Sequence, residues 1–279
     1  MKAPPVTEDV SVRFERDGRV MVITIERPKQ RNSLPAKVQW GMHRLFDYYE
    51  QNDDIWCAII TGGEAPGVPP AFCAGQDLKS VNSALGPTES AATSKLPPSG
   101  FGGVSFRNLT KPLIAACNGG AYGGGCEIVL NCDIVVASES AMFALPEVRS
   151  GVAALGNGLI LLPRIVGRHR AMQMILMGAV IPAKEAMEWG IVNEVVPHKD
   201  VLKRALEIAD SLQVGSPDAV RASKRAIINS SEIADWYLAT DKTATEKEVI
   251  AFQGGKDAKE GPLSFAQKRK PNWSGYSKL

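Results

Sequence analysis

Residues 121–133 read AYGGGCEIVLNCD. Three glycines run together, followed by a cysteine, a glutamate and an apolar run. Glycine has no Cβ, so Gly123, Gly124 and Gly125 leave the backbone open to an approaching group. A helix that starts near Gly124 has first N–H groups without partners inside the helix, and these point outward. Glu127 then falls in the first helical turn, where the positive end of the helix favours its ionised form. The stretch joins backbone donors to an acid.

Working outward, residues 20–25 (VMVITI) read as a strand closed by Arg27-Pro28. Residues 36–51 read as a helix with Val38, Met42, Leu45, Phe46 and Tyr49 on one stripe. Residues 55–61, 112–117 and 133–137 read as further strands, with 127–130 helical between the last two. Strands alternating with helices predict an α/β fold with parallel pairing. Residues 80–104 are rich in Ser, Gly and Pro and read as a mobile loop or lid. After about residue 157 the pattern turns helical. Leu202, Ala205, Leu206, Ala209 and Leu212 form one stripe, and Ile233, Trp236 and Tyr237 start another. Such faces serve either the core or an oligomer interface.

A second glycine turn lies in AFCAGQD, residues 71–77. Both turns follow strands, and open α/β sheets build their sites beyond the carboxyl ends of strands. One N–H from each turn could converge on a single oxygen, making an oxyanion hole from main chain. Glu147 follows Glu127 by 20 residues, in Leu145-Pro146-Glu147 after the next strand. Two carboxylates beside such a hole suit proton transfer next to a carbonyl, one as base and one as acid. Each piece alone has a plainer reading: a packing turn, a helix-capping acid, a solvated loop residue.

Composition narrows the classes. With 44% apolar and 22% charged residues, the 279-residue chain is of ordinary globular type. A net charge of +2 supplies no field for nucleic acid or membrane. No apolar run is long enough to cross a bilayer, and MKAPPVTEDV lacks the apolar core of a secretory signal. Five cysteines without a CxxC pair indicate reduced thiols in an intracellular protein. His43, His169 and His198 have no second ligand at metal spacing, which disfavours zinc or Ser–His chemistry. No nucleotide-binding glycine fingerprint follows a strand. The last three residues, Ser277-Lys278-Leu279, match the address read by the peroxisomal import receptor.

Several long stretches, taken in order, resemble the enoyl-CoA hydratase (crotonase) superfamily. They are ITIERPKQRNSL at 23–34, AFCAGQDLK at 71–79, KPLIAACNGGAYGGGCEIVLNCDIVVAS at 111–138 and FALPEVRSGV at 143–152. MGAVIPAKEAMEWGIVNEVVP at 177–197 and EGPLSFAQKRKPNW at 260–273 continue the match. The last stretch most resembles carnitinyl-CoA dehydratase-like and fungal peroxisomal members. The resemblance implies an α/β fold with a crotonase-like ββα spiral core over 1–197. It also implies a helical region over 198–279 that forms trimers, which pair into hexamers. Substrates would be acyl-CoA thioesters, with no metal or redox cofactor beyond the coenzyme A of the substrate itself. The N–H groups of Gln76 and Gly124 would hold the enolate oxygen, and Glu127 and Glu147 would form the hydratase acid pair. The backbone of Cys73 and Ala74 would run along coenzyme A, and Phe265 and Lys268 would approach it from a neighbouring subunit. Asp77 lies in the same binding turn, as its anchor. The thiols of Cys73 and Cys126 read as packing groups.

The chain departs from the family at residues 154–158. Where hydratases carry Pro-Gly-x-Gly-Gly, this chain has Ala154-Leu155-Gly156-Asn157-Gly158. Leu155 replaces a glycine that borders the acyl pocket and helps hold the catalytic water, so the pocket is reshaped. Isomerase relatives carry an acid there, and Leu155 cannot act as one. An insertion at 64–70 lengthens the loop near the coenzyme A entrance. The reading is therefore hydration of a 2-enoyl-CoA, or the reverse dehydration. The alternatives are an isomerase, hydrolase or carbon–carbon lyase on the same scaffold, or a weakly catalytic CoA-ester- or RNA-binding relative. The small net charge disfavours RNA.

Overall fold

The computed structural model describes residues 3–5, 7–78 and 96–279. Strands β1 (Val10–Glu15) and β2 (Val20–Ile25) form an antiparallel hairpin at the edge of a six-stranded sheet. Then β3 (Cys57–Gly62), β5 (Leu113–Cys117), β7 (Ile134–Ser138) and β10 (Glu194–Val196) join in parallel, in the order β1-β2-β3-β5-β7-β10. β3 and β5 are buried along their whole length, which is why they read as unbroken apolar runs rather than alternating ones.

A second sheet of three-residue strands lies beside the first. Its order is β4 (Ala71–Cys73), β6 (Gly120–Tyr122), β8 (Met142–Ala144), β9 (Val180–Pro182). β4, β6 and β8 are mutually parallel, and β9 closes the edge antiparallel. Each long strand β3, β5 and β7 is followed by its short partner β4, β6 and β8. After β6 comes α2 (Gly124–Leu130), and after β8 comes α3 (Gly158–Val166). The chain therefore winds as repeated ββα turns. The glycine run is fed not by the 112–117 strand directly but by β6, and β1 adds a strand that the periodicity did not reveal.

One face of the large sheet packs on α1 (Ala36–Gln51), through Val38, Met42, Phe46 and Tyr49. The other face packs on α6 (Val201–Leu212), where Val201, Ala205, Ile208 and Ala209 meet Val22, Ile59, Ala116 and Val136. The first C-terminal stripe thus covers the core. The second does not: in α8 (Trp236–Ala244), Trp236 and Tyr237 stand exposed on the single chain. In sequence α4 (Arg168–Leu176) precedes β9, and α5 (Ala183–Glu188) lies between β9 and β10. α7 (Pro217–Glu232) starts on a Ser216 cap that accepts from Ala219 N–H, with Pro217 at the first helical position. α9 (Lys247–Gly254) and α10 (Asp257–Ala266) follow.

The C-terminal tail returns to the large sheet. Tyr276 donates its hydroxyl to the Trp56 carbonyl at 2.9 Å, just before β3. Ser277 is held by the buried pair Asp218 and Arg221: its N–H donates to Asp218 Oδ1 at 2.9 Å, and its carbonyl accepts from Arg221 at 2.7 Å. Lys111 is buried beneath this tail, donating to the carbonyls of Tyr49, Asn52 and Ile55. Of the segment read as a lid, residues 80–95 lie outside the described residues. From Phe101–Gly103 it forms a single tight turn against α1.

Candidate active site

The three turns that carry the chemistry leave the carboxyl ends of three adjacent parallel strands: β4 leads to residues 74–77, β6 to Gly123 and α2, β8 to Glu147. Adjacent strands in one direction bring their ends together, so segments more than 70 residues apart in the chain meet at one edge.

The first turn is tied down by the 31–34 segment. Ala74 N–H donates to the Arg31 carbonyl at 3.0 Å. Leu34 N–H donates to the Gly75 carbonyl at 2.9 Å, and Asp77 N–H donates to the Leu34 carbonyl at 3.2 Å. Leu34 therefore grips the peptides on either side of Gln76. The Gly75 carbonyl and the Gln76 N–H belong to one trans peptide and point opposite ways, so the Gln76 N–H faces away from Leu34. Gly75 sits on the far side of this turn at φ 88°, and a Cβ built on it would stand 3.2 Å from the backbone nitrogen of Gly124. Gly124 is the first residue of α2, so its N–H has no acceptor within the helix. Gly123 N–H donates to the Ala144 carbonyl at 2.9 Å and locks this turn to β8.

Both predicted acids border the same turn. Glu127 is 4% exposed on α2, and its Oε1 accepts from the Gly158 N–H at 3.0 Å. A methyl built on Gly156 would collide with its Oε2, so the 156–158 backbone closes over this carboxylate. Glu147 opens the single turn Glu147–Ser150, and its Oε1 would lie 3.2 Å from a Cβ on Gly123. The other Glu147 oxygen is buried without a hydrogen-bond partner.

Burial pushes the Glu127 carboxyl up to about 7; the Gly158 N–H opposes this, the Glu147 charge adds to it, and the Gly156 N–H opposes it. Burial also raises Glu147 above the ordinary carboxylate value. The helix terminus was expected to favour the ionised form of Glu127. Loss of water around the carboxylate outweighs that effect, since α2 is only seven residues long and the side chain is almost fully enclosed. The N–H contacts suit Glu127 as an ionised acceptor, and the unpartnered oxygen of Glu147 suits a protonated acid. Two interacting carboxyls share their titration, so the pair is described by both pKa values together.

Other sequence candidates fall into four groups. Cys73 and Cys126 are buried beside the turns; burial raises the Cys73 thiol to about 12 and raises Cys126 further, which leaves both as packing groups. Asp77 accepts from Arg27 at 2.7 Å, and Arg27 also bonds Asp9 and the Ser33 carbonyl, so Asp77 anchors its turn. Leu155 is 69% exposed immediately before Gly156, and so stands at the rim of the space in front of Glu127. Phe265 and Lys268 are not gathered into this site. Phe265 is 87% exposed on α10, and α10 is rooted through Asp257 to Ser274 at the tail, near the amino ends of the long strands. In the single chain both are exposed, Phe265 on α10 and Lys268 just beyond its end.

The structure adds residues that spacing alone did not reveal. Asn32 is buried and donates to the carbonyls of Gly63 and Ala71, holding β4 in place. Phe101 lies against Gly124, and Asn157 pins the loop that grips Glu127. The Asn157-Gly158 dipeptide was a readable turn signal. Among the described residues no group of side chains could hold a metal ion, and no helix is long and apolar enough to cross a membrane.

Convergent backbone donors beside two perturbed carboxyls define an enzyme of general acid–base chemistry at an activated carbonyl. Residues 15–276 match the enoyl-CoA hydratase/isomerase family, and the chain belongs to that family. It is 38% identical to the mevalonyl-coenzyme A hydratase of Beauveria bassiana, over 98% of this chain and 97% of that one. It is 36% identical to the carnitinyl-CoA dehydratase of Escherichia coli K12, over 95% and 98%. Among solved structures, an enoyl-CoA hydratase from Mycobacterium tuberculosis H37Rv superposes with a TM-score of 0.84 at 33% identity, covering 95% of this chain and 98% of that one.

Proposed function

We propose that this enzyme adds water across the C2=C3 bond of a 2-enoyl-CoA thioester, and in reverse dehydrates a 3-hydroxyacyl-CoA. The observation that carries the reading is the meeting of the Gly75–Gln76 and Gly124 backbones beside Glu127 and Glu147. In the forward direction, ionised Glu127 takes a proton from water as the water oxygen bonds to C3. The π electrons move through C2 onto the thioester oxygen, which the Gln76 and Gly124 N–H groups hold. Such donors are worth about 3 kcal/mol each when charge develops on the oxygen. Protonated Glu147 then delivers its proton to C2, and solvent returns the pair to its starting state. No cofactor beyond the coenzyme A of the substrate enters this scheme.

The same proposal covers the finer assignments. The backbone at Cys73 and Ala74 lies along coenzyme A, and Phe265 and Lys268 approach it from a neighbouring copy. Exposed Trp236, Tyr237, Leu176 and Met177 support assembly as a trimer or a pair of trimers. The Ser277-Lys278-Leu279 sequence supports a peroxisomal location through the import receptor, and fatty-acid metabolism is one pathway that fits it. Deleting these three residues from a fluorescent fusion tests that location.

The test of the activity is a panel of 2-enoyl-CoA and 3-hydroxyacyl-CoA thioesters of varied length and branching, read by product mass. The names of the relatives put mevalonyl-CoA and carnitinyl-CoA first in it. Gain or loss of one water supports the reading. Release of free coenzyme A, or a shifted double bond without water, points to the hydrolase or isomerase alternative.

A further inference from the structure

Asn157 is one of few non-glycine residues in the left-handed region, at φ 90° and ψ −4°. Asparagine tolerates that region better than most residues but still at a cost in backbone energy. In the family pattern the corresponding place is glycine, which adopts it freely. Here the side chain gains something glycine lacks: Nδ2 donates to the Ser105 carbonyl at 3.1 Å. The Asn157 carbonyl accepts from Leu161 N–H at 2.9 Å and Ile160 N–H at 3.1 Å, which starts α3. Its two neighbours, Gly156 and Gly158, are the residues that close over Glu127.

Ser105 is fully buried and reaches the other half of the site. Its Oγ accepts from the Phe101 N–H at 2.8 Å, and the Phe101 ring occupies the space where a Cβ of Gly124 would lie. An unbroken path therefore runs from Glu127 through Gly158, Asn157, Ser105 and Phe101 to Gly124. One end is an acid, and the other is a backbone donor.

We propose that Asn157 is a positioning residue: clamped to Ser105, it fixes the 156–158 backbone on Glu127 and sets that carboxylate in register with the Gly124 turn. The inference rests on Glu127 serving as the base. The clamp stabilises the ionised form, because N–H donation favours the carboxylate. Glu147, from the turn after β8, opposes this whenever it is ionised, and burial holds the neighbouring Cys126 as a neutral thiol.

The test compares wild type with Asn157→Gly and Ser105→Ala. Asn157→Gly keeps the left-handed turn without strain and removes only the clamp, so it folds. The Glu127 carboxyl is titrated by infrared difference spectroscopy, with Glu127→Gln identifying its band, and kcat/KM is measured across pH. In Asn157→Gly the Glu127 midpoint should rise by about half a unit, which costs about threefold in kcat/KM at acidic pH and little at alkaline pH. Ser105→Ala keeps the carbonyl that Asn157 uses, so its Glu127 midpoint should stay at the wild-type value while kcat falls at all pH. An Asn157→Gly midpoint and pH profile equal to wild type would overturn the proposal. The infrared titration needs no turnover, so if wild type hydrates no thioester, the hydratase reading fails while the clamp is still decided.

Discussion

Gly75 and Gly124 meet across the site: a Cβ on Gly75 would begin 3.2 Å from the Gly124 nitrogen and 2.8 Å from the Tyr122 carbonyl. A side chain at Gly75 would block the approach of any substrate oxygen to that N–H and would be strained at φ 88°. Gly75→Ala should lower kcat/KM by about 100-fold or more, the size expected for loss of one oxyanion donor. Gly124→Ala should do the same by driving its methyl into the Phe101 ring. Steady-state kinetics beside thermal melts checks both. A fully folded Gly75→Ala enzyme with wild-type kcat would remove this turn from the chemistry.

The two acids influence each other, and the sign is fixed. As Glu147 ionises, its charge pushes the Glu127 carboxyl upward, after burial itself. Glu147→Gln should therefore lower the Glu127 midpoint from about 7, as read by carboxyl infrared titration. In wild type the low-pH limb of kcat/KM should fall near that midpoint, because the base must be ionised. A limb near the ordinary carboxylate value would contradict the enclosure of Glu127.

Enclosing Glu127 has a stability cost. Its folded pKa is raised from 4.5 to about 7, so the protonated form is the one that folding favours. Its contribution is fully present below 4.5 and is lost as pH rises through about 7. Glu127→Gln removes the burden and can still accept from Gly158. The variant should be more stable than wild type at about pH 8, by up to about 3 kcal/mol, and the gap should close toward about pH 5. Denaturant unfolding at the two pH values measures this. A gap that stays constant would mean that Glu127 titrates alike in the folded and unfolded states.

Arg27 joins Asp9, Asp77 and the Ser33 carbonyl, with its side chain 16% exposed. Asp77→Asn should weaken this anchor and lower stability by about 1–2 kcal/mol, with kcat/KM within about fivefold of wild type. A large rise in KM with an unchanged melting temperature would instead make Asp77 a direct substrate ligand.

How much of this was legible depends on the physical signal each element leaves. The 20–25 strand and the 36–51 helix emerge with the bounds read from sequence, because a long one-sided apolar stripe or unbroken apolar run specifies them. β4, β6 and β8 left no such trace, since three residues cannot display a period of two. Yet those short strands, by running parallel side by side, are what bring residues 76, 124 and 147 to one edge. The order of the motifs identified Glu127 and Glu147 as candidates. Their raised pKa values were not legible, because enclosure by Gly156 and Gly158 is a product of tertiary packing. Phe265 and Lys268 carry no local signal for which copy of the chain they serve, and in the single chain both are exposed.

The most direct test of the two-acid account is the hydration rate of one accepted 2-enoyl-CoA by wild type, Glu127→Gln and Glu147→Gln, each checked for thioester binding. Both variants should bind the thioester and lose about 1000-fold in kcat, the scale of a missing general base or acid. Hydration at a near wild-type rate by either variant would contradict the account.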